Sequence, residues 1–97
     1  MAHYMDEPLA PDAAKRLIRE ILKGGRFTYS KHAKDEMLDD DLTTVDCENV
    51  LRGGVVRPGE YEHGTWRYRI ETNKITVVVA FRSQGELVVV TTWRSGR

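Results

Sequence analysis

Residues 66–94 decide the fold of this chain, and they read WRYRIETNKITVVVAFRSQGELVVVTTWR. Apolar residues recur here at every second position, which is the period of a half-buried β-strand. Turn residues interrupt the pattern around Asn73 and Gly85, so consecutive strands are joined by short links and run antiparallel. The apolar residues at the start of residues 55–61 predict one more strand before this stretch. The pattern therefore predicts four strands, over residues 55–61, 66–72, 75–82 and 86–94.

The strand over residues 66–72 separates its side chains into two chemically different sets. Trp66, Tyr68 and Ile70 project to one side, and Arg67, Arg69 and Glu71 project to the other. We expect the apolar set to enter the core. Arg67 and Arg69 should remain accessible to solvent and share a face with Arg94. One face of the sheet is then free for water or for a ligand.

The first half of the chain predicts helices instead. Apolar residues at helical spacing indicate three of them, beginning at Pro11, at Lys31 and after Thr43, with glycine pairs after the first and the third. Ser30 is placed to cap the second helix, which should reach about residue 39. Thr43 and Asp46 form the pattern of a capping box for the third helix. Residues 26–29 are expected to form a short extended piece between the first two helices.

With 97 residues, the chain is long enough for one hydrophobic core and too short for two. We therefore expect an α+β fold in which short N-terminal helices pack on a four-stranded antiparallel sheet. Residues 11–97 should form this single domain. Residues 1–10, which show little periodicity, should form a flexible N-terminal arm.

Charge is divided unevenly between the two halves, although the net charge is zero. Residues 1–50 hold seven Lys and Arg against eleven Asp and Glu, a net charge of −4. Residues 51–97 hold eight against four, a net charge of +4, and they coincide with the predicted sheet. A sheet that carries arginines is suited to binding a polyanion such as RNA on one face.

The candidate phosphate-binding residues are the arginines of the predicted strands and of the C-terminal tail: Arg67, Arg69, Arg82, Arg94 and Arg97. Guanidinium groups bind phosphate oxygens through two parallel hydrogen bonds. Trp93 is the candidate for stacking on an unpaired base. A solvated sheet face without a ligand explains the same pattern equally well.

His32 is the candidate acid–base residue. An imidazole exchanges protons near neutral pH, which suits it to cleaving a phosphodiester by means of the RNA 2′-hydroxyl. His32 follows the capping Ser30 at the start of a helix, from where it could reach the rim of the sheet. A histidine that only packs against its neighbours is the alternative.

The sequence contains no recognisable metal or cofactor site. It has no cysteine pair and no histidines at ligand spacing, and the acidic run at residues 39–41 lacks the glycine and alternate ligands of a calcium loop. The glycine pairs follow helices, unlike phosphate-binding loops between a strand and a helix. Cys47 has no disulfide partner, and no apolar run is long enough to cross a membrane. We therefore expect a cytoplasmic protein without a cofactor.

The run Tyr29-Ser30-Lys31-His32-Ala33 resembles the hallmark Tyr-Ser-x-His-Ala of a bacterial domain family of unknown function. The resemblance covers roughly residues 15–94 and includes a closing segment like residues 88–93. In layout, that family is similar to RelE-like toxins and to the motility quorum-sensing regulator toxins. These are small ribonucleases with helices packed on one face of an antiparallel sheet. Many relatives carry arginines after the hallmark, where this chain has acidic residues, so the sheet must supply the positive charge.

The resemblance implies a metal-independent endoribonuclease that cleaves mRNA, acting as the toxin of a type II toxin–antitoxin pair with a cognate antitoxin. The residues to which it assigns catalytic roles are His32, Arg67, Tyr68, Arg69 and Arg94. A histidine or tyrosine would take the 2′-proton, and arginines would stabilise the pentacoordinate phosphate. The alternative is a non-enzymatic module of the same fold that binds a protein or RNA.

Overall fold

The structure is a computed structural model that describes residues 5–95. Its helices are α1 (Pro11–Gly24), α2 (Lys31–Asp39) and α3 (Thr44–Gly53). Its strands are β1 (Arg26–Tyr29), β2 (Val55–Val56), β3 (Glu60–Glu62), β4 (Thr65–Glu71), β5 (Ile75–Ser83) and β6 (Glu86–Arg94). The α+β class and the order of the helices are those that the sequence predicts.

Side-chain caps explain where α2 and α3 begin. Ser30 Oγ accepts a hydrogen bond from the Ala33 N–H at 3.0 Å, so the predicted cap is confirmed. At α3, Thr43 Oγ1 accepts from the Asp46 N–H at 3.1 Å, and the Asp46 carboxylate accepts from the Thr43 N–H at 2.9 Å. This reciprocal pair is the predicted capping box. Its hydrogen bonds hold the pKa of Asp46 below its usual range.

Six strands form the sheet within residues 5–95, in the order β1-β6-β5-β4-β2, with β3 also paired to β4. The prediction of a four-stranded antiparallel sheet is therefore wrong. Strands β4, β5 and β6 form the expected antiparallel meander, but β1 joins its edge parallel to β6, with Phe27 opposite Leu87. The four residues of β1 alternate between exposed and half-buried side chains, but this alternation does not show which strand they pair with. The parallel partner of β1 lies far along the chain, so no local turn marks the pairing.

The strand predicted over residues 55–61 is interrupted. It forms β2 and β3, which pair with opposite ends of β4: Val56 lies opposite Ile70, and Glu60 lies opposite Arg67. Pro58 lies between the two strands and has no N–H to donate to a ladder, so continuous pairing ends there. As a result, β3 and the start of β4 form a hairpin at the edge of the sheet.

The helices described in the structure pack on one face of the sheet. Buried helix residues such as Ile18, Met37 and Leu51 form one hydrophobic cluster with the inward-facing residues of β4 to β6, namely Tyr68, Ile70, Val77, Val79, Leu87 and Val89. Cys47 is fully buried in this cluster, and burial raises the pKa of its thiol. The opposite face of the sheet carries no helix in the described residues and is available for a site.

The N-terminal segment closes the core next to α1. The Leu9 N–H donates to Tyr68 Oη at 2.9 Å, and Tyr68 Oη donates to Glu7 Oε2 at 2.8 Å. Of the arm predicted over residues 1–10, residues 1–4 lie outside the described residues. Glu7 and Leu9 are attached to the core by these hydrogen bonds.

Candidate functional site

The motif Tyr29-Ser30-Lys31-His32-Ala33 attaches α2 to the sheet. A register shift between β5 and β6 leaves Val90 as an extra residue in β6, which is a β-bulge. The Val90 carbonyl accepts a hydrogen bond from Ser30 Oγ at 2.8 Å, and the same hydroxyl caps α2. Ala33 is fully buried. Ser30 and Ala33 therefore serve the fold, whereas His32 between them is exposed to solvent.

The face of the sheet opposite the helices carries the candidate site. We call it the open face and define it by Glu60, Glu62, Arg67, Arg69, Val78, Ala80, Arg82, Val88, Thr91 and Trp93. The register places Arg69 beside Val78, and Val78 beside Thr91. Arg67 and Arg69 are both partly exposed on this face. The prediction that they share a solvent-accessible face is confirmed.

A first concavity of about 350 Å³ lies between the β3–β4 hairpin and the centre of the sheet. Glu60 is the cross-strand neighbour of Arg67, and its carboxylate lies 3.4 Å from the guanidinium of Arg69. Arg69 also lies 4.0 Å from the carboxylate of Glu71. Carboxylates therefore stand directly beside the arginines, and the open face is not the uniformly positive stripe that a sheet of arginines predicts.

Arg67 makes no ion pair with a carboxylate among the described residues. Its Nε donates to Thr65 Oγ1 at 3.4 Å, a long hydrogen bond. Arg67 lines the first concavity and also a second one of about 520 Å³, which Ser30 and Arg82 line as well. It thus lies where the two concavities meet, with guanidinium donors free to bind an anion.

His32 is not among the residues that line the second concavity, although its neighbour Ser30 is. It follows Ser30 by two residues, so the Cα atoms of these two residues are at most about 7.6 Å apart. Its imidazole makes no hydrogen bond or ion pair within residues 5–95. Trp93 is half-buried in the first concavity. The structure thus brings four of the predicted residues onto one face and does not bring His32 to them: Arg67, Arg69, Arg82 and Trp93.

Tyr68 does not lie on the open face. It is fully buried on the helix side, with its ring centroid 5.3 Å from that of Phe81. Burial raises the pKa of Tyr68 to about 12, and the hydrogen bond to Glu7 acts in the same direction. Because Leu9 and Glu7 already occupy its hydroxyl, Tyr68 is placed to hold the N-terminal segment.

Arg94 also lies on the helix side. Its Nε donates to the Asp40 carbonyl at 2.8 Å and its Nη2 donates to the Asp41 carbonyl at 3.1 Å, which satisfies carbonyls at the end of α2. The prediction that Arg94 shares a face with Arg67 and Arg69 is wrong. The bulge at Val90 reverses the alternation of β6, so that even-numbered residues face the helices after it. Arg97 lies outside the described residues.

Glu60 and Glu62 are absent from the residues that the sequence points to, yet they line the first concavity. Their spacing of two residues places both on the same face of a strand. That spacing is the signal by which they could have been found. It does not reveal the partner strand, and only the pairing of β3 with β4 places Glu60 opposite Arg67 and Glu62 opposite Thr65.

No three side chains of His, Cys, Asp or Glu within residues 5–95 lie close enough together to hold a metal ion. No helix in the described part of the chain is long and apolar enough to cross a membrane.

Comparisons with known proteins identify the family of the chain. No curated protein and no solved structure matches it significantly. A family model does match residues 29–94, which are about two thirds of the chain. The matched segment begins at the tyrosine of the Tyr-Ser-x-His-Ala motif and contains α2, α3 and all of the open face. The chain therefore belongs to the DUF4258 family, a domain of unknown function.

Proposed function

We propose that this chain is a metal-independent endoribonuclease with a RelE-like fold, the mRNA-cleaving toxin of a type II toxin–antitoxin pair, and that the open face binds and cleaves the RNA. The observation that carries the proposal is the first concavity, where Glu60 lies 3.4 Å from Arg69 and opposite Arg67. When the 2′-hydroxyl of an RNA attacks the adjacent phosphate, the reaction needs a proton acceptor and, beside it, groups that stabilise the negative charge of the phosphate. This concavity contains both.

In the proposed reaction, the Glu60 carboxylate takes the proton of the 2′-hydroxyl while the 2′-oxygen attacks the adjacent phosphorus. Arg67 and Arg69 stabilise the negative charge of the pentacoordinate phosphate. The bond from phosphorus to the 5′-oxygen then breaks, and that oxygen takes a proton from His32. The products are a 2′,3′-cyclic phosphate and a 5′-hydroxyl end. Trp93 stacks on a neighbouring base.

A binding module without catalysis is the second candidate, and the positions of two expected catalytic residues favour it. Tyr68 is buried and hydrogen-bonded to Glu7, and Arg94 binds the end of α2. His32 makes no hydrogen bond or ion pair with an open-face residue within the described range. Such a module would bind RNA or protein on the same face and leave the RNA intact.

Cleavage by the purified chain separates the two candidates. We expect it to cut an unstructured mRNA in the presence of EDTA and to leave 2′,3′-cyclic phosphate ends, detected by mass spectrometry. Binding should weaken steeply with rising KCl, because phosphate contacts release counterions. A variant with Arg67→Glu and Arg69→Glu should lose both binding and cleavage.

A charge-matched control tests whether those losses are local. Lys34→Glu together with Lys74→Glu changes the net charge by the same amount as Arg67→Glu with Arg69→Glu. Both lysines are exposed and lie outside both concavities. This variant should cleave RNA like the wild type. Cleavage that disappears with EDTA and returns with Mg²⁺ would contradict the metal-independent mechanism. RNA that is bound and left uncut would establish the binding module.

Growth of bacteria that express the chain tests the toxin assignment. Induction should arrest growth within minutes to hours, because cleavage of mRNA stops protein synthesis. Co-expression of a gene adjacent to the one that encodes the chain should relieve the arrest by supplying the antitoxin. Harmless overexpression of a chain that cleaves RNA in vitro would contradict the toxin role and leave the nuclease activity standing.

A further inference from the structure

A second cationic surface lies on the helix side of the protein. Helices α1 and α3 border a groove of about 660 Å³, lined by Arg19, Leu22, Lys23, Asn49, Arg52 and Gly53. None of the lining residues found within residues 5–95 is acidic. Within residues 5–95, the three cations of the groove make no ion pair with a carboxylate. The groove therefore collects positive charge that the fold does not neutralise.

Part of this charge has a structural role. Arg19 Nη2 donates to the Arg52 carbonyl at 3.4 Å, and Lys15 Nζ donates to the Gly54 carbonyl. These bonds satisfy carbonyls at the C-terminal end of α3, where a cation is also favoured by the helix dipole. No such bond involves the side chains of Lys23 and Arg52 in the described part of the chain. Helix capping therefore leaves these two cations unexplained.

We propose that this groove binds phosphate groups of an RNA strand, as a second contact separate from the open face. Lys23 and Arg52 supply the charge, and the Asn49 amide supplies further hydrogen-bond donors. The inference rests on the proposed function for the identity of the ligand as RNA. The evidence that the groove binds an anion is independent of that function: its lining, its volume and its unpaired cations.

The lining favours phosphate over an acidic protein. Leu22 is the only large apolar side chain among the six that line the groove. Large exposed apolar side chains of the described residues lie elsewhere, namely Leu38, Val45, Val55 and Tyr61. Protein partners are usually held by apolar or aromatic anchors in the centre of an interface. A groove of cations and an amide lacks such anchors and matches a sugar–phosphate backbone.

RNA length should reveal the second contact. The open face and the groove lie on opposite sides of the two layers, and the smallest dimension of the protein is 24 Å. At 3.4 Å per stacked nucleotide, a strand needs roughly seven nucleotides to cover that distance. A tetranucleotide therefore occupies only one of the two sites, whereas a strand of about 20 nucleotides can reach both.

The experiment measures binding of 2′-O-methyl RNA, which cannot be cleaved, by fluorescence anisotropy. Lys23→Glu with Arg52→Glu should weaken binding of a 20-mer by about tenfold and reduce the salt slope by roughly 1.4, the effect of losing two phosphate contacts on a single strand. The variant should bind a tetranucleotide and cleave its unmodified form like the wild type. Lys23→Gln with Arg52→Gln should show a smaller loss in the same direction. Lys34→Glu with Lys74→Glu is the charge-matched control, and thermal melting confirms that each variant folds.

Several results would overturn the second contact. Unchanged 20-mer affinity in Lys23→Glu/Arg52→Glu, with weak binding by Arg67→Glu/Arg69→Glu, rejects the groove and leaves the proposed function intact. If both variants bind the 20-mer with wild-type affinity, the groove and the proposed function are both rejected. If Lys23→Glu/Arg52→Glu loses affinity equally for the tetranucleotide and the 20-mer, the loss is a long-range effect of charge and the groove is not a contact. Tighter binding of polyglutamate than of the 20-mer at the same salt identifies a surface for acidic proteins.

Discussion

Glu60→Gln should lower the rate of RNA cleavage by about 10²–10⁴-fold, the usual contribution of general acid–base catalysis. Glutamine keeps the shape of the side chain and cannot take a proton from the 2′-hydroxyl at neutral pH. RNA affinity should stay close to that of the wild type, because Arg67 and Arg69 remain. The Glu60 and Arg69 side chains are 59% and 41% exposed, so loss of their ion pair costs the fold little. Single-turnover cleavage and anisotropy measure the two quantities separately.

Glu62→Gln is the matched control for this prediction. Glu62 lies two residues further along β3, lines the same concavity and makes no ion pair with an arginine in residues 5–95. The Glu62→Gln variant should therefore cleave RNA at nearly the wild-type rate. Wild-type cleavage by Glu60→Gln would remove Glu60 from the mechanism, and loss of activity in Glu62→Gln alone would assign the base to Glu62.

Tyr68 substitutions should have the largest effect on stability. Tyr68→Ala removes a fully buried aromatic ring, which costs about 3–5 kcal/mol out of the roughly 5–15 kcal/mol that stabilises a domain. Tyr68→Phe keeps the ring and its contact with Phe81, and removes only the hydroxyl bound to Leu9 and Glu7. We expect a loss of about 1–2 kcal/mol, hence a fall in Tm of roughly 4–16 °C by circular dichroism. Tyr68→Phe should still cleave RNA at 25 °C.

Tyr61→Phe provides the comparison on the surface. Tyr61 is 61% exposed, and its hydroxyl makes no hydrogen bond in the described residues. Its ring packs on Trp66 with centroids 5.2 Å apart, a contact that phenylalanine preserves. The Tm of Tyr61→Phe should therefore equal that of the wild type. If Tyr68→Phe instead kept the Tm and lost cleavage, Tyr68 would be a catalytic residue.

The parts of the fold that depend on nearby residues are predictable from the sequence. The caps at Ser30 and Thr43 join a side chain to a backbone group three residues away, so a short pattern contains both partners. Pairing of β1 with β6 joins Phe27 to Leu87. No turn residues mark such a distant parallel pair. Pro58 is a local signal for the break between β2 and β3, which apolar alternation alone does not show.

The candidate site is predictable only where a strand is regular. In β4, alternation places Arg67 and Arg69 correctly on one face. In β6, Leu87 and Val89 face the helices before the bulge, and Thr92 and Arg94 face them after it. The sequence continues its apolar run through Val90 without a glycine or another mark of the extra residue, so the position of Arg94 cannot be read from it.

The break at Pro58 also limits how the protein associates with further copies of itself. An edge strand with free N–H and C=O groups is a template on which another chain can add, which is how fibrils grow. On the β2–β3 edge, the proline and the exposed, charged Glu60 and Glu62 interrupt that template. The opposite edge, β1, offers only the four residues Arg26–Tyr29. The sheet is thus protected at both margins against fibril-like stacking at high concentration.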